Sequence, residues 1–239
     1  MLPLKAARMG VAGREALALA RQATLLPRDV RAVLPPVIAD GDHVVVLVHG
    51  VFASAGVLRP LREHIEQAST AKTASFSYPP WFGVRELATR LGALVARLPP
   101  HVHLHLVGHS LGGLVAREYA QRVPRDTRVV QTISLASPFA GTRQARWLPV
   151  AFGRDIAHGS ALLRALHHDA AAASDVPHTS FVATSDTVLD PPSSAAFLHG
   201  EVIEIADVGH NTLLYDEGVQ ARVARLVADR VLASTRATW

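Results

Sequence analysis

A chain of 239 residues, 49% apolar and 18% charged, is long enough for one α/β domain with a full core and too short for two comfortable ones. It has no cysteine, which excludes a disulfide framework, a cysteine zinc site and a cysteine nucleophile. The net charge of +4 comes from 22 arginines and two lysines dispersed among acids, without runs or aromatic interleaving, so no nucleic-acid partner is expected.

Residues 1 to about 26 read as a basic helix. Lys5, Arg8, Arg14, Glu15 and Arg21 interrupt every apolar core that a secretory signal would need. No stretch has the length and apolarity of a transmembrane helix, so a soluble, cytoplasmic protein without an integral membrane segment is expected. The helix lacks a strong apolar face and an aromatic anchor. Packing or partner contact is favoured for it, with peripheral membrane contact as the alternative. Residues 28–42, with Pro35-Pro36, read as a linker. The expected division is therefore an N-terminal helical extension and linker over 1–42 and a main domain over 43–239.

His43 to Val48 is a short β-branched run of the kind buried on both faces of a parallel sheet, and it stops at His49-Gly50. A helix is predicted over 58–68, a strand over 72–78 and an amphipathic helix over 84–98. Next comes the strand 102–107, the sequence Gly108-His109-Ser110-Leu111-Gly112-Gly113, and a helix over 114–123. A strand over 129–135 leads into a long segment, 138–175, followed by strands over 178–184 and 201–206. The final helix carries Val219, Val223, Leu226, Val227 and Val231 on one face. Alternating strands and helices imply a mostly parallel sheet covered on both sides.

Strand, Gly-x-Ser-x-Gly, helix is the arrangement that forces a serine into a sharp turn and lifts its hydroxyl clear of a sheet. A serine hydroxyl is a weak nucleophile and needs a base, and the base needs a partner that fixes its tautomer. In this turn type the partners follow in the order acid, then histidine, each after a later strand. Asp186 follows Phe181-Val182-Ala183-Thr184, and His210 follows the strand ending near Ala206. Asp190 lies in the same loop as Asp186 but farther from the strand end; it is the alternative acid, and otherwise a turn residue before Pro191-Pro192. Two backbone N–H groups must face the developing oxyanion. They are expected from Leu111, beside the serine, and from Val51, in the turn that Gly50 allows.

These pieces resemble the α/β-hydrolase superfamily, in particular bacterial lipases and carboxylesterases and the lipase-like group related to inositol deacylases. The resemblance is carried by Leu47-Val48-His49-Gly50, Gly108 to Gly113, Ser137-Pro138-Phe139-Ala140-Gly141-Thr142, Asp186 to Pro191, and Gly209-His210. Phe139 stands where the lipases carry a histidine. The resemblance implies an α/β-hydrolase fold with a small cap near 138–175, a Ser110-His210-Asp186 triad and a small-molecule ester or lipid substrate. It implies no metal and no organic cofactor. An acyltransferase using the same triad, or a non-catalytic binding module, are the alternatives to a serine esterase.

Three features have a second reading. His101, His103 and His105 alternate as zinc ligands would, but without an accompanying carboxylate or HExxH pattern they read as partly exposed residues at a strand start. His158, His167 and His168 read the same way, and His49 and His109 as support for the site. The apolar residues of 138–175, among them Phe139, Trp147, Leu148, Val150 and Phe152, fit either a lid over an acyl pocket or ordinary packing on the sheet.

Overall fold

The computed structural model describes residues 10–122, 124–147 and 151–237. Residues 1–9 of the expected basic helix, Val123 at a predicted helix end, and Leu148 and Val150 of the expected cap lie outside them.

Six strands form one sheet: β1 (His43–Val48), β2 (Lys72–Phe76), β3 (His103–His109), β4 (Val129–Leu135), β5 (His178–Ala183) and β6 (Glu201–Ile205). They lie in the order β2-β1-β3-β4-β5-β6, and every pairing is parallel. The helices are α1 (Val11–Leu25), α2 (Arg59–Ala68), α3 (Val84–Val95), α4 (Leu111–Gln121), α5 (Ala151–Asp155), α6 (Ala161–His168), α7 (Thr212–Tyr215) and α8 (Glu217–Ala237).

Strand β1 explains the layering. All six of its residues are buried, because helices cover both faces of a parallel sheet. Val44, Val46 and Val48 point into a core with α3, α4 and α6, whereas Val45 and Leu47 point into a second core with α2 and α8. The period of two along the strand thus feeds two hydrophobic layers. Strand β6, at the edge, carries exposed Glu201 and Glu204, which blunt an open edge.

Segment 138–175 folds largely into the first core. Phe139, Phe152, Leu162, Leu163 and Leu166 are buried with the residues of α3 and α4. Its hold on the rest is also polar: the Val84 N–H donates to Asp155 Oδ2 at 2.7 Å, so Asp155 satisfies a free donor at the start of α3. Trp147 stays exposed.

Candidate active site

The chain runs from β1 out to β2 and then returns to the other side of β1 as β3. At such a reversal the connections leave in opposite directions and open a crevice beyond the C-terminal strand ends. The turn after β1 and the turn after β3 meet there.

Ser110 occupies the turn between β3 and α4 with φ 52° and ψ −123°, a backbone conformation costly for any residue with a side chain. Its neighbours make room for it. A Cβ on Gly108 would lie 2.3 Å from the backbone of Gly112, and one on Gly112 would lie 2.1 Å from the Val48 carbonyl oxygen. Helix α4 begins at Leu111, three residues earlier than predicted, with Gly112 and Gly113 inside its first turn. Gly112 serves close approach of the helix to β1, and Gly108 its approach to β3. The Ser110 N–H donates to the Leu135 carbonyl at 2.8 Å, fixing the turn against β4.

His210 and Asp186 meet behind the serine. His210 Nδ1 lies 2.7 Å from Asp186 Oδ2, and both side chains are buried. Asp186 Oδ1 accepts from the Val188 and Leu189 N–H groups, each at 2.8 Å. Three hydrogen bonds thus hold the carboxylate in place, and the one from Nδ1 leaves His210 Nε2 as the free ring nitrogen. Ser110 and His210 line one cavity of about 320 Å³ together with Gly50, Val51, Phe52 and Val188. Among the described residues no hydrogen bond joins the Ser110 hydroxyl to His210.

The turn after β1 is fixed from below. His49 Nδ1 lies 2.6 Å from the Gly50 carbonyl, and His49 Nε2 accepts from the Tyr78 N–H at 3.2 Å. The Tyr78 hydroxyl donates to the His49 carbonyl, and the two rings stack at 3.9 Å. Burial pushes His49 down to about 4, so it is a neutral strut. Gly50 brings the turn against Ser110: a Cβ there would lie 3.0 Å from Ser110 Cβ. His109, whose pKa burial lowers to about 3, pairs its Nε2 with the His210 carbonyl at 3.1 Å. Leu111 opens α4, where a backbone N–H has no partner within the helix.

The other candidates lie elsewhere. Asp190 is half exposed and pairs with Arg143 at 3.3 Å. His199 faces Phe197 and His167. His105 is fully buried, contrary to the expected partial exposure. It shares a hydrogen bond with His43 at 2.8 Å, and Gln131 engages its other ring nitrogen at 2.7 Å. Among the described residues no group of three or more histidines or carboxylates is arranged to hold a metal ion.

One contributor escaped the sequence reading. Leu19, Gln22, Ala23 and Leu26, in and just beyond α1, form a wall of the Ser110 cavity, and the described residues of segment 138–175 supply none of its lining. The available signal was Glu15, the single acid of a basic helix.

A six-stranded parallel sheet with helices on both faces, and a serine turn at its topological reversal, define the α/β-hydrolase fold. The mature lipase of Bacillus licheniformis superposes with a TM-score of 0.65 at 12% identity, over 82% of this chain and 97% of that one. Lipase B of Aspergillus fumigatus gives 0.65 at 17% identity, over 84% and 60% respectively. The hyperthermophilic esterase of the archaeon Pyrobaculum calidifontis gives 0.59 at 15% identity, over 96% and 94%. No curated protein matches the sequence. Residues 39–168 match the family described as "Putative serine esterase (DUF676)", and the chain belongs to that family.

Proposed function

We propose that this chain is a serine carboxylesterase or lipase acting through Ser110, His210 and Asp186. His210 Nε2 takes the Ser110 proton as the hydroxyl oxygen attacks the ester carbonyl. The tetrahedral oxyanion is held by the N–H groups of Val51 and Leu111. The same nitrogen then protonates the departing alcohol, leaving an acyl-Ser110. A water deprotonated by His210 attacks this ester, and collapse returns the proton to Ser110. Asp186 keeps Nδ1 protonated and stabilises the imidazolium that forms in both halves.

The observation that carries this reading is the buried Asp186–His210 pair at 2.7 Å, whose histidine lines the same cavity as Ser110. The Ser110–His210 hydrogen bond that this mechanism needs forms as substrate binds, since such contacts are commonly long in free sites. Ser110→Ala should lower hydrolysis of p-nitrophenyl esters by at least about a thousandfold, with an unchanged circular dichroism spectrum. Full activity in that variant would refute the mechanism.

A further inference from the structure

Helix α1 is held largely by polar contacts, with Leu25 packed against the second core. Ala18 is its one buried residue, and Leu17 and Leu19 are about half exposed. At one end, Glu15 reaches the loop that carries His210. Glu15 Oε1 accepts from the Asn211 N–H at 2.8 Å and from Asn211 Nδ2 at 2.6 Å, and Oε2 accepts from the Thr212 N–H at 2.9 Å and the Thr212 hydroxyl at 2.8 Å. A Cβ on Gly209 would lie 2.6 Å from the same carboxylate, so the loop is seated directly on it. Gln22 adds a hydrogen bond to Asn211 Oδ1 at 2.8 Å, and the Arg21 guanidinium lies over the Tyr215 ring. Burial alone would raise the Glu15 pKa, but the four donors hold it below the usual carboxylate range.

At the other end, α1 is tied to the segment that follows the Gly50 turn. A Cβ on Gly56 would lie 2.3 Å from the Leu25 carbonyl and 2.6 Å from that of Arg28. The Ser54 and Ser77 hydroxyls donate to the carbonyls of Arg28 and Asp29, and the Asp29 carboxylate accepts from Arg59 at 2.7 and 2.8 Å. The helix thus spans from the histidine loop to the oxyanion turn. Leu19 faces the Ser110 cavity on one side and, on the other, an apolar cleft of about 630 Å³ bounded by Asp186 and Gly209.

We infer that α1 is a working part of the active site: Glu15 is a positioning residue for the His210 loop, and Leu19, Ala23 and Leu26 form the wall against which the apolar part of the ester lies. This rests on the esterase reading. A four-residue helix, α7, begins two residues after His210 and cannot fix the loop alone. Glu15 supplies the acceptors that its first N–H groups lack. A shift of the loop by a fraction of an ångström moves Nε2 off the line to Ser110, and such misplacement costs rate rather than binding.

The test uses the full chain with Glu15→Gln and Ala23→Trp, Ala23 being exposed. The concentration of working sites is titrated to completion with a serine-directed phosphonate. Glu15→Gln should lower kcat per titrated site by about 10- to 100-fold, with KM within about twofold. A normal kcat per site, with only fewer sites, would make Glu15 a purely structural residue and overturn its positioning role. Ala23→Trp should shift the kcat/KM preference towards short p-nitrophenyl esters by about tenfold or more. An unchanged chain-length profile removes α1 as a wall. A wild-type chain that neither hydrolyses any ester nor takes the label refutes the esterase reading, and the wall with it. Amide hydrogen exchange at residues 209–212 then decides Glu15 alone, where acceleration in Glu15→Gln supports the contact and equal rates overturn it.

Discussion

Asp186 and Asp190 sit four residues apart in one loop, yet their surroundings set different roles. Asp186 is buried and accepts three hydrogen bonds, one of them from His210, whereas Asp190 is half exposed and faces Arg143. Losing the Asp186 charge leaves His210 free to adopt the wrong tautomer, so Asp186→Asn should lower kcat by about 10⁴-fold. Asp190→Asn removes an exposed ion pair worth well under about 1 kcal/mol, and its kcat should stay within about twofold. Steady-state kinetics of the two variants check this, and the reverse order would reassign the acid. That Asp186 lies beside His210 follows from strand ends and chain order, which are local properties of the sequence. Glu15 was not readable in the same way. Its partners lie 196 and 197 residues away, and no local pattern encodes a contact of that span.

At the scale of elements, the strands were the most legible. The β-branched run of β1 and the Pro and Gly punctuation after β2 and α3 mark their ends without help from distant residues. The start of α4 was less so, because Gly112 and Gly113 have poor helix propensity and hid its first turn. Close approach to β1 overrides that propensity. Gly112→Ala should therefore destabilise the protein by about 2 kcal/mol or more, since a methyl group meets the Val48 carbonyl at 2.1 Å and backbone cannot yield as a side chain can. Urea denaturation measures it, and an unchanged midpoint would show that α4 is free to move away from β1. The segment 138–175 was ambiguous in the sequence because buried helices and lids share the same apolar residues. Its described side chains largely join the core under α3 and α4.

For the molecule as a whole, burial keeps several histidines neutral. His49 is lowered to about 4, His105 and His109 to about 3, and His178 well below its ordinary value, burial being the first cause in each. The unfolded chain takes up these protons as pH falls through about 6.5, while the native state refuses them until about 4 or below. Stability is therefore fully present above about pH 6.5 and declines on acidification, by up to about 1.4 kcal/mol per pH unit for each histidine excluded from protonation. Urea midpoints between about pH 7.5 and 5 should fall accordingly, and His105→Gln should flatten the slope; a midpoint independent of pH would contradict it. The contact of Glu15 with Asn211 also has a consequence for synthesis. At about 5–20 residues per second, Glu15 leaves the ribosome on the order of 10 to 40 seconds before its partner. Ser110 emerges midway, after α1 but before Asp186 and His210. A nascent chain stopped before His210 thus carries Ser110 without the neighbours that folding brings beside it.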